Sequence, residues 1–295
     1  MFIKSINAKN FKNFKELNLD LNSLNLLVGA NASGKSNFIQ LLKFIRDLSQ
    51  FGFENAISLQ GDKEFFKNLT NNDDNTFIEV EFTNVMKSNN ITWLKYQIEI
   101  EYKNKVVLKS EYATINIFES IINISKSNEN VEINFDGDEH SKLIPIELIK
   151  MKLLSGHCIP QLIDSILDSE IFNFKIFDFD IKKAKLPSTT NDLIELRENG
   201  ENLSIVLRNI FRNNDDKIAF LNLVQQALPF VKDVNIENYY NENLVLNLQE
   251  SYYKDKYLPS AVLSDGTIVV FCLVLAMFFD KSNSLLNDTL ITPGF

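Results

Sequence analysis

The chain has 295 residues, 45% of them hydrophobic, and a formal net charge of −9 at neutral pH. This length and apolar content allow one large domain or two lobes with a sizeable core. The negative charge excludes a uniformly basic nucleic-acid surface but leaves room for a local basic patch. No apolar run reaches the ~18 residues of a membrane span, and the N-terminus lacks a signal-peptide apolar region. We therefore expect a cytoplasmic protein with no membrane partner.

Cysteine and histidine are scarce, which limits redox and metal chemistry. Cys158 and Cys272 lie far apart beside apolar neighbours, a placement that favours buried free thiols over a disulfide or a metal site. Because His140 and His157 are the only histidines, a histidine-based metal centre is not expected.

The chain begins with two alternating segments, residues 2–9 and 15–21, which predict a β-hairpin. Lys9, Lys12 and Lys15 lie near its turn. A solvated sheet edge is the favoured interpretation of these lysines, and contact with a nucleotide or nucleic acid is the alternative.

The stretch Leu24–Asn37 contains G-x-x-x-x-G-K-S, the pattern of a phosphate-binding P-loop. The apolar run Leu24–Val28 predicts a buried parallel strand before the loop, and the apolar spacing after Lys35 predicts a helix. This context disfavours an accidental match in a Gly/Ser-rich turn. Loop amides and the helix N-terminus would face an anion, Lys35 would neutralise the β- and γ-phosphates, and the Ser36 hydroxyl would bind Mg²⁺. The candidate nucleotide-binding residues are Gly29, Ala30, Asn31, Ala32, Ser33, Gly34, Lys35, Ser36 and Asn37.

Alternating strands dominate the middle of the chain. After a polar stretch at 51–76 that predicts irregular structure, strands are expected at 77–82, 91–102, 105–118 and 131–135. Repeated polar/apolar alternation with short turns predicts an antiparallel sheet with one solvated face.

Helices and further strands follow. Residues 146–168 predict two short helices, because Gly156 and Pro160 interrupt the pattern. Ile171–Ile181 alternates strongly and predicts a strand; a bulge where its two registers meet, or burial on both faces, would explain the change of register.

The last third of the chain mixes both element types. Helices are predicted at 203–211, with Asn202 as N-cap, and at 215–228. Residues 234–250 predict a strand pair, and 268–279 predict a strongly apolar helix.

A second motif, Leu263-Ser264-Asp265-Gly266-Thr267, precedes that last helix and resembles the L-S-G-G-Q-type signature of ABC-type ATPases. Its L-S-D-G-T form is similar to that of the RecF/SMC-like predicted ATPases with a split AAA-type domain. The opening Ile6–Asn37 resembles that group's order of strand, F-K-x-F, strand and P-loop, and Leu196–Leu203 resembles its G-x-N-L segment. A Ser-Asp-Gly turn that opens a helix also presents a hydroxyl, amides and a positive dipole end to an anion. The alternative is an ordinary capped core helix.

The resemblance implies an α/β fold: a P-loop NTPase, ABC-ATPase-like head with an antiparallel β subdomain and a helical lobe. We expect one head over 1–295, with a P-loop part at 1–60, a β-rich part at 75–181, a helical lobe at 185–230 and a signature part at 231–295.

The resemblance also implies ATP and Mg²⁺ as cofactors, with ATP sandwiched in a head-to-tail homodimer. Ser264 and Gly266 would contact the partner protomer's γ-phosphate, with Asp265 in the same binding turn. The implied role is DNA repair, nucleic-acid processing or anti-phage defence, with a nucleic acid or an effector nuclease as partner.

The Walker B strand of such ATPases, an apolar run that ends in Asp and Glu, is not found after the signature. Met277–Asp280 continues the signature helix, Leu285–Asp288 has too short an apolar run, and 289–295 lacks both acids. Truncation within Walker B is the favoured explanation, and a complete chain that binds ATP but hydrolyses it poorly is the other. Gln60 is a weak candidate for the Q-loop glutamine.

Whether the chain is an ATPase therefore stays open. A non-hydrolysing regulatory module is the second hypothesis. The nucleotide-binding subunit of a membrane transporter is the third, and the L-S-D-G-T and F-K-x-F forms count against it.

Overall fold

A computed structural model shows two compact units, the first ending at Phe174 and the second beginning at Lys175. It describes residues 2–22, 24–61, 65–71, 73–86, 91–102, 105–117, 120–127, 130–136, 145–167, 171–172, 174–190, 193–239, 243–253 and 256–279. Helices and antiparallel sheet are present in both units, so the predicted α/β class with an antiparallel sheet is confirmed.

The first unit contains a seven-stranded antiparallel sheet in the order β2-β1-β3-β4-β5-β6-β7. Its strands are β1 Phe2–Phe11, β2 Phe14–Asp20, β3 Asn75–Met86, β4 Ile91–Tyr102, β5 Val106–Ile117, β6 Ser120–Ser127 and β7 Asn130–Asp136. Alternate residues of β3, namely Ile78, Val80 and Phe82, are fully buried, as the two-residue period of a one-sided sheet requires. The predicted hairpin and strands are confirmed, and β6 is a strand that the sequence interpretation missed.

Four helices accompany this sheet: α1 Lys35–Phe51, α2 Phe53–Leu59, α3 Ile146–Leu154 and α4 Ile159–Leu167. The apolar residues of α1 recur every three or four positions, so one face of the helix is buried. The Phe66 ring packs edge-on against Phe11 and Phe44, with ring centroids 5.0 and 4.8 Å apart. These contacts join the first hairpin, α1 and the segment after α2 in one core.

Residues 51–76 are not wholly irregular, contrary to the prediction. Gly52, at φ 77°, ends α1 and allows α2 to start immediately. Ala56 and Ile57 of α2 are buried, so tertiary burial outweighs the polar composition of the stretch. The two helices predicted within 146–168 are confirmed, and Pro160 lies in the first turn of α4, where its missing N–H costs nothing.

The second unit combines a four-stranded antiparallel sheet with helices. Strand β10 pairs with β8, β9 and β11, which confirms the strand pair predicted at 234–250. Its elements are α5 Ile181–Ala184, β8 Ser188–Thr189, α6 Leu203–Ile210, α7 Asn214–Ala227, β9 Val231–Tyr239, β10 Asn243–Glu250, β11 Tyr257–Pro259 and α8 Asp265–Val274, followed by a π-helical turn, Leu275–Phe279. Phe220 of α7 packs edge-on against Phe271 of α8, with ring centroids 5.6 Å apart, in the core of this unit.

The strand predicted at Ile171–Ile181 is wrong. Its described residues between 174 and 180 run without strand pairing, and a short helix begins at Ile181. The backbone is instead satisfied by a loop, because Asp178 N–H donates to the Glu198 carbonyl at 2.8 Å and Asp180 N–H to the Asn199 carbonyl at 2.9 Å. Alternation alone could not supply the neighbouring strand that a ladder needs.

Both cysteines are free and buried, as predicted. Burial raises the pKa of the Cys272 thiol to about 12 and also raises that of Cys158. Within the described ranges, no helix combines the length and apolar character needed to cross a membrane.

Candidate functional site

The P-loop pattern ends at the start of α1. Gly34 is the N-cap residue, with φ 98°, and no side chain caps the helix. The first turn also contains no acidic residue, so the N–H groups of Lys35, Ser36 and Asn37 lack both an intrahelical acceptor and a capping oxygen. Such a helix start offers several donors and a positive dipole end to an anion.

The loop before α1 is tight and exposed. Ala32 has φ 64°, and Ser33 N–H donates to the Ala30 carbonyl at 3.2 Å. A Cβ on Gly29 would lie 2.8 Å from the Ser33 hydroxyl oxygen, so glycine suits the close turn. Solvent therefore reaches the loop where a phosphate would bind.

Lys35 is folded back onto this loop. Its Nζ donates to the Gly29 carbonyl at 2.7 Å and to the Ala30 carbonyl at 3.0 Å. The ammonium therefore lies beside the loop backbone, with neutral carbonyls as its acceptors. A phosphate oxygen would be a stronger, charge-assisted acceptor at this position.

The buried strand predicted at Leu24–Val28 is wrong. Leu24, Leu26 and Val28 are 67%, 81% and 84% exposed, and the segment has no strand assignment. Every strand ladder of the described residues is antiparallel and none includes this segment. An apolar run becomes a strand only where a neighbour accepts its backbone hydrogen bonds.

The F-K-x-F hairpin contacts the P-loop directly. A Cβ on Gly34 would lie 2.9 Å from Cε1 of Phe14, so the Phe14 ring covers that glycine. Lys12 is partly buried: its Nζ donates to the Gln60 carbonyl at 3.2 Å, and desolvation lowers its pKa. The sequence did not predict that Phe14 covers Gly34. The available signal was the position of Phe14 in the F-K-x-F motif that precedes the P-loop.

Two other residues were given roles by the sequence. Lys9 is solvated, as favoured, and pairs with Glu16 at 3.5 Å, but it lies on the exposed face of β1 between β2 and β3 and not at a sheet edge. Gln60, the weak Q-loop candidate, is buried at the C-terminal end of α2, and no described residue donates a hydrogen bond to its Oε1. The expected Walker B position at 289–295 lies outside the described residues.

The signature turn opens α8. Ser264 is the N-cap, and its Oγ accepts from Thr267 N–H at 3.1 Å. Ser264, Asp265 and Gly266 are exposed, whereas Leu263 on one side and Thr267 on the other are buried. The helix starts three residues earlier than predicted, since Asp265 and Gly266 form its first turn. This arrangement anchors the turn at both ends and presents its middle to solvent.

Asp265 is held by a second contact, because Lys185 Nζ lies 2.5 Å from its Oδ1. The Lys185 carbonyl in turn accepts from the Ser260 hydroxyl at 2.7 Å. This pair joins the loop after α5 to the segment that leads into the signature.

The G-x-N-L segment holds the fold of the second unit. Asn202 is fully buried; its Nδ2 donates to the carbonyls of Leu193 and Glu195, and its Oδ1 accepts from Arg197 N–H. Asn202 is the N-cap residue of α6, as predicted, but its side chain makes no capping hydrogen bond. Its amide instead closes the loop before the helix.

Ser36 is the predicted ligand for a metal ion. The described residues contain no cluster of three or more His, Cys, Asp or Glu side chains that could hold an ion. Ser36 is exposed at the second position of α1 and fits as a single hydroxyl ligand. Mg²⁺ commonly takes one or two protein oxygens and completes its shell with phosphate oxygens and water, so this supply suits a nucleotide-bound ion.

Comparison with known proteins gives a match that includes the P-loop pattern. Residues 24–142 match the family model described as AAA domain, putative AbiEii toxin, Type IV TA system. The structural maintenance of chromosomes protein 3 homolog of Plasmodium falciparum is 25% identical over 266 residues, which is 87% of this chain and 21% of that protein.

Two shorter matches have a higher sequence identity than this one. The DNA replication and repair protein RecF of Lactococcus lactis is 44% identical over 46 residues, 15% of this chain and 13% of RecF. The endonuclease GajA of Bacillus cereus is 38% identical over 58 residues, 19% of this chain and 10% of GajA. The chain thus spans about a fifth or less of each of these relatives. These matches agree with the resemblance carried by the motifs: over the matched ranges the chain is similar in sequence to SMC and RecF proteins.

Proposed function

We propose that the chain binds ATP with Mg²⁺ through Gly29–Asn37 and uses the bound nucleotide to form a head-to-tail dimer. One observation carries the nucleotide site: α1 begins without a cap behind an exposed loop, with Lys35 and Ser36 as its first two residues. The uncapped amides would bind phosphate oxygens, and Lys35 would exchange two neutral carbonyls for a phosphate. Ser36 would supply a hydroxyl to Mg²⁺.

The proposed dimer rests on the signature turn. Ser264 and Gly266 are exposed at the start of α8, and the second unit already provides the contacts that fix this turn. An exposed helix start can approach the γ-phosphate held by a second copy, with the Ser264 hydroxyl and the first-turn amides as donors. Asp265 lies in the same turn, and its ion pair with Lys185 reduces its repulsion of a phosphate.

The cellular role we propose is DNA repair, nucleic-acid processing or anti-phage defence in the cytoplasm. It is supported by the names of the relatives, which are a replication and repair protein, a chromosome-maintenance protein and an endonuclease. The partner would be a nucleic acid or an effector nuclease. A net charge of −9 means that nucleic acid would contact a local patch.

A nucleotide-binding assay tests the proposal. Lys35→Ala should weaken binding of a fluorescent ATP analogue by about 10- to 100-fold, because a charge-assisted bond is worth about 1.5–3 kcal/mol. Lys43→Ala is the matched control, since it removes the same charge from the same helix about two turns further along. Equal affinities for Lys35→Ala and the parent would contradict the assigned role.

A second candidate is a module that binds ATP but does not hydrolyse it. Steady-state phosphate release separates the two candidates. Turnover that disappears in Lys35→Ala supports the ATPase. Tight binding without turnover supports the non-hydrolysing module.

A further inference from the structure

A cleft of about 610 Å³ lies in the first unit at the C-terminal end of α1, far in sequence from the P-loop. Its walls include Phe51, Phe53–Asn55, Val106–Leu108, Lys126 and Ser155–His157. We call it the α1-end cleft. Its volume falls in the range of about 300–1,000 Å³ that is typical of ligand sites.

The cleft meets β5 at the edge of the strand. Val106, Val107 and Leu108 are consecutive and all line it, although successive side chains of a strand point to opposite faces. Strand β5 pairs with β4 at Val106, Val107 and Leu108, a β-bulge leaves Lys109 without a partner in β4, and pairing with β6 stops at Ser110. In the part of the chain that the structure describes, residues 106–109 therefore have a strand on one side only.

An unpaired strand edge carries hydrogen-bonding groups of its own. Backbone N–H and C=O groups of alternate residues point to opposite neighbours, so half of those in 106–109 face the side without a strand. Such an edge is a template for one more strand, and extended peptides bind other proteins by this mode. The backbone groups of 106–109 therefore favour an extended peptide as the ligand of the cleft.

The walls select its side chains. Phe51 and Val107 are 50% and 43% exposed and offer apolar contacts beside the strand edge. The buried charge in the wall is already balanced, since Lys126 Nζ donates to the His157 carbonyl at 2.7 Å and lies 3.6 Å from Oε2 of Glu111. An acidic ligand would compete with Glu111 for Lys126 and would be repelled by the exposed Glu54 carboxylate, which also lines the cleft, so an uncharged segment fits better than an acidic one.

We propose that the α1-end cleft binds an extended, apolar, uncharged peptide segment of another protein, which adds a strand to β5 at residues 106–109. The segment would also touch Phe51, the last residue of the helix that begins at the P-loop. Peptide binding is independent of the proposed nucleotide site, and Lys35→Ala should leave it unchanged.

A phage-displayed library of random linear nonapeptides, panned on the full chain, provides the probe. Enriched peptides should alternate apolar, β-branched residues. A labelled synthetic copy should slow hydrogen exchange of amides within 106–109. Val107→Lys should weaken its binding at least about tenfold, because a charge at a strand edge opposes strand addition.

Tyr112→Lys is the matched control, since Tyr112 lies on the same strand at 37% exposure but has β4 and β6 on either side. It should retain the parent affinity. A peptide with methylated backbone nitrogens, tested on the unaltered chain, should lose binding, and this measurement does not depend on whether Val107→Lys folds. The proposal is overturned if no peptide is enriched, if 106–109 gains no protection, or if the methylated peptide binds equally well.

Discussion

Replacing Gly266 by alanine tests folding stability and the proposed ATP-dependent dimerisation separately. The position has ordinary backbone angles for a helix start, and an added Cβ would meet only Ser264 Oγ, at 3.9 Å. An alanine there restricts the unfolded chain without strain, so stability should stay equal or rise by about 0.4–1 kcal/mol. The new methyl group would nevertheless stand where we propose that the partner's γ-phosphate approaches.

Gly200→Ala is the contrasting variant. Gly200 has φ 75°, and its Cβ would lie 3.1 Å from the Phe179 ring and 3.3 Å from Cys272 Sγ. The left-handed backbone and the crowding should cost about 1–3 kcal/mol. This variant should therefore lose stability, whereas Gly266→Ala should lose only a function.

Two assays make the distinction. Urea unfolding, followed by circular dichroism, measures stability, and light scattering with and without ATP measures mass. We expect Gly266→Ala to match or exceed the parent's urea midpoint and to stay monomeric with ATP, while the parent dimerises. The reasoning is refuted if Gly266→Ala is as destabilised as Gly200→Ala, or if it dimerises with ATP as the parent does.

Three further predictions concern stability, each read from urea midpoints. Lys126→Met should cost about 3–5 kcal/mol at pH 8, because it leaves the buried Glu111 carboxylate unpaired. Burial already raises the pKa of Glu111, so the stability that its raised pKa contributes is full below the pKa of the unfolded state and is lost as the pH rises through the pKa of the folded state. The stability loss of Lys126→Met should therefore be smaller at pH 5 than at pH 8. A loss that does not depend on pH would contradict the pairing of Lys126 with an ionised Glu111. Leu26→Ser should change stability by less than about 0.5 kcal/mol because the Leu26 side chain is exposed. A loss above ~2 kcal/mol would mean that Leu26 is buried, as the sequence predicted. Asn202→Ala should cost about 2–4 kcal/mol of stability, because three hydrogen bonds of the Asn202 side chain are lost. Asn213→Ala, which removes only a helix cap, should cost about 1 kcal/mol. Equal losses for the two variants would refute the larger role of Asn202.

Sequence periodicity predicted most of the first unit because the signal there is local. Alternation in residues 77–82 and 91–102 reports which side of a one-sided sheet is buried, and the structure buries that side. The helix after Lys35 was equally predictable, since its apolar spacing and preceding glycine fix both its face and its start. The candidate site was predicted from a motif whose following helix the structure confirms and whose preceding strand it does not.

Misses occurred where the structure depends on neighbours distant in sequence. Asn202 looked like a helix cap, but its amide reaches back to the carbonyls of Leu193 and Glu195, a competition that spacing cannot resolve. The role of Phe14 at Gly34 likewise follows from the register between the first hairpin and α1.

The sequence by itself determined the P-loop pattern, the signature motif, the antiparallel sheet with one buried face and the helix that begins at Lys35. Each of these depends on a pattern of residues that are close together in sequence. Only the tertiary structure decided that Leu24, Leu26 and Val28 are exposed and that, among the described residues, 106–109 has no strand on the side of β6. The physical reason is common to both segments. A strand is completed by the hydrogen bonds of an adjacent chain segment, and no local pattern states whether that segment is present.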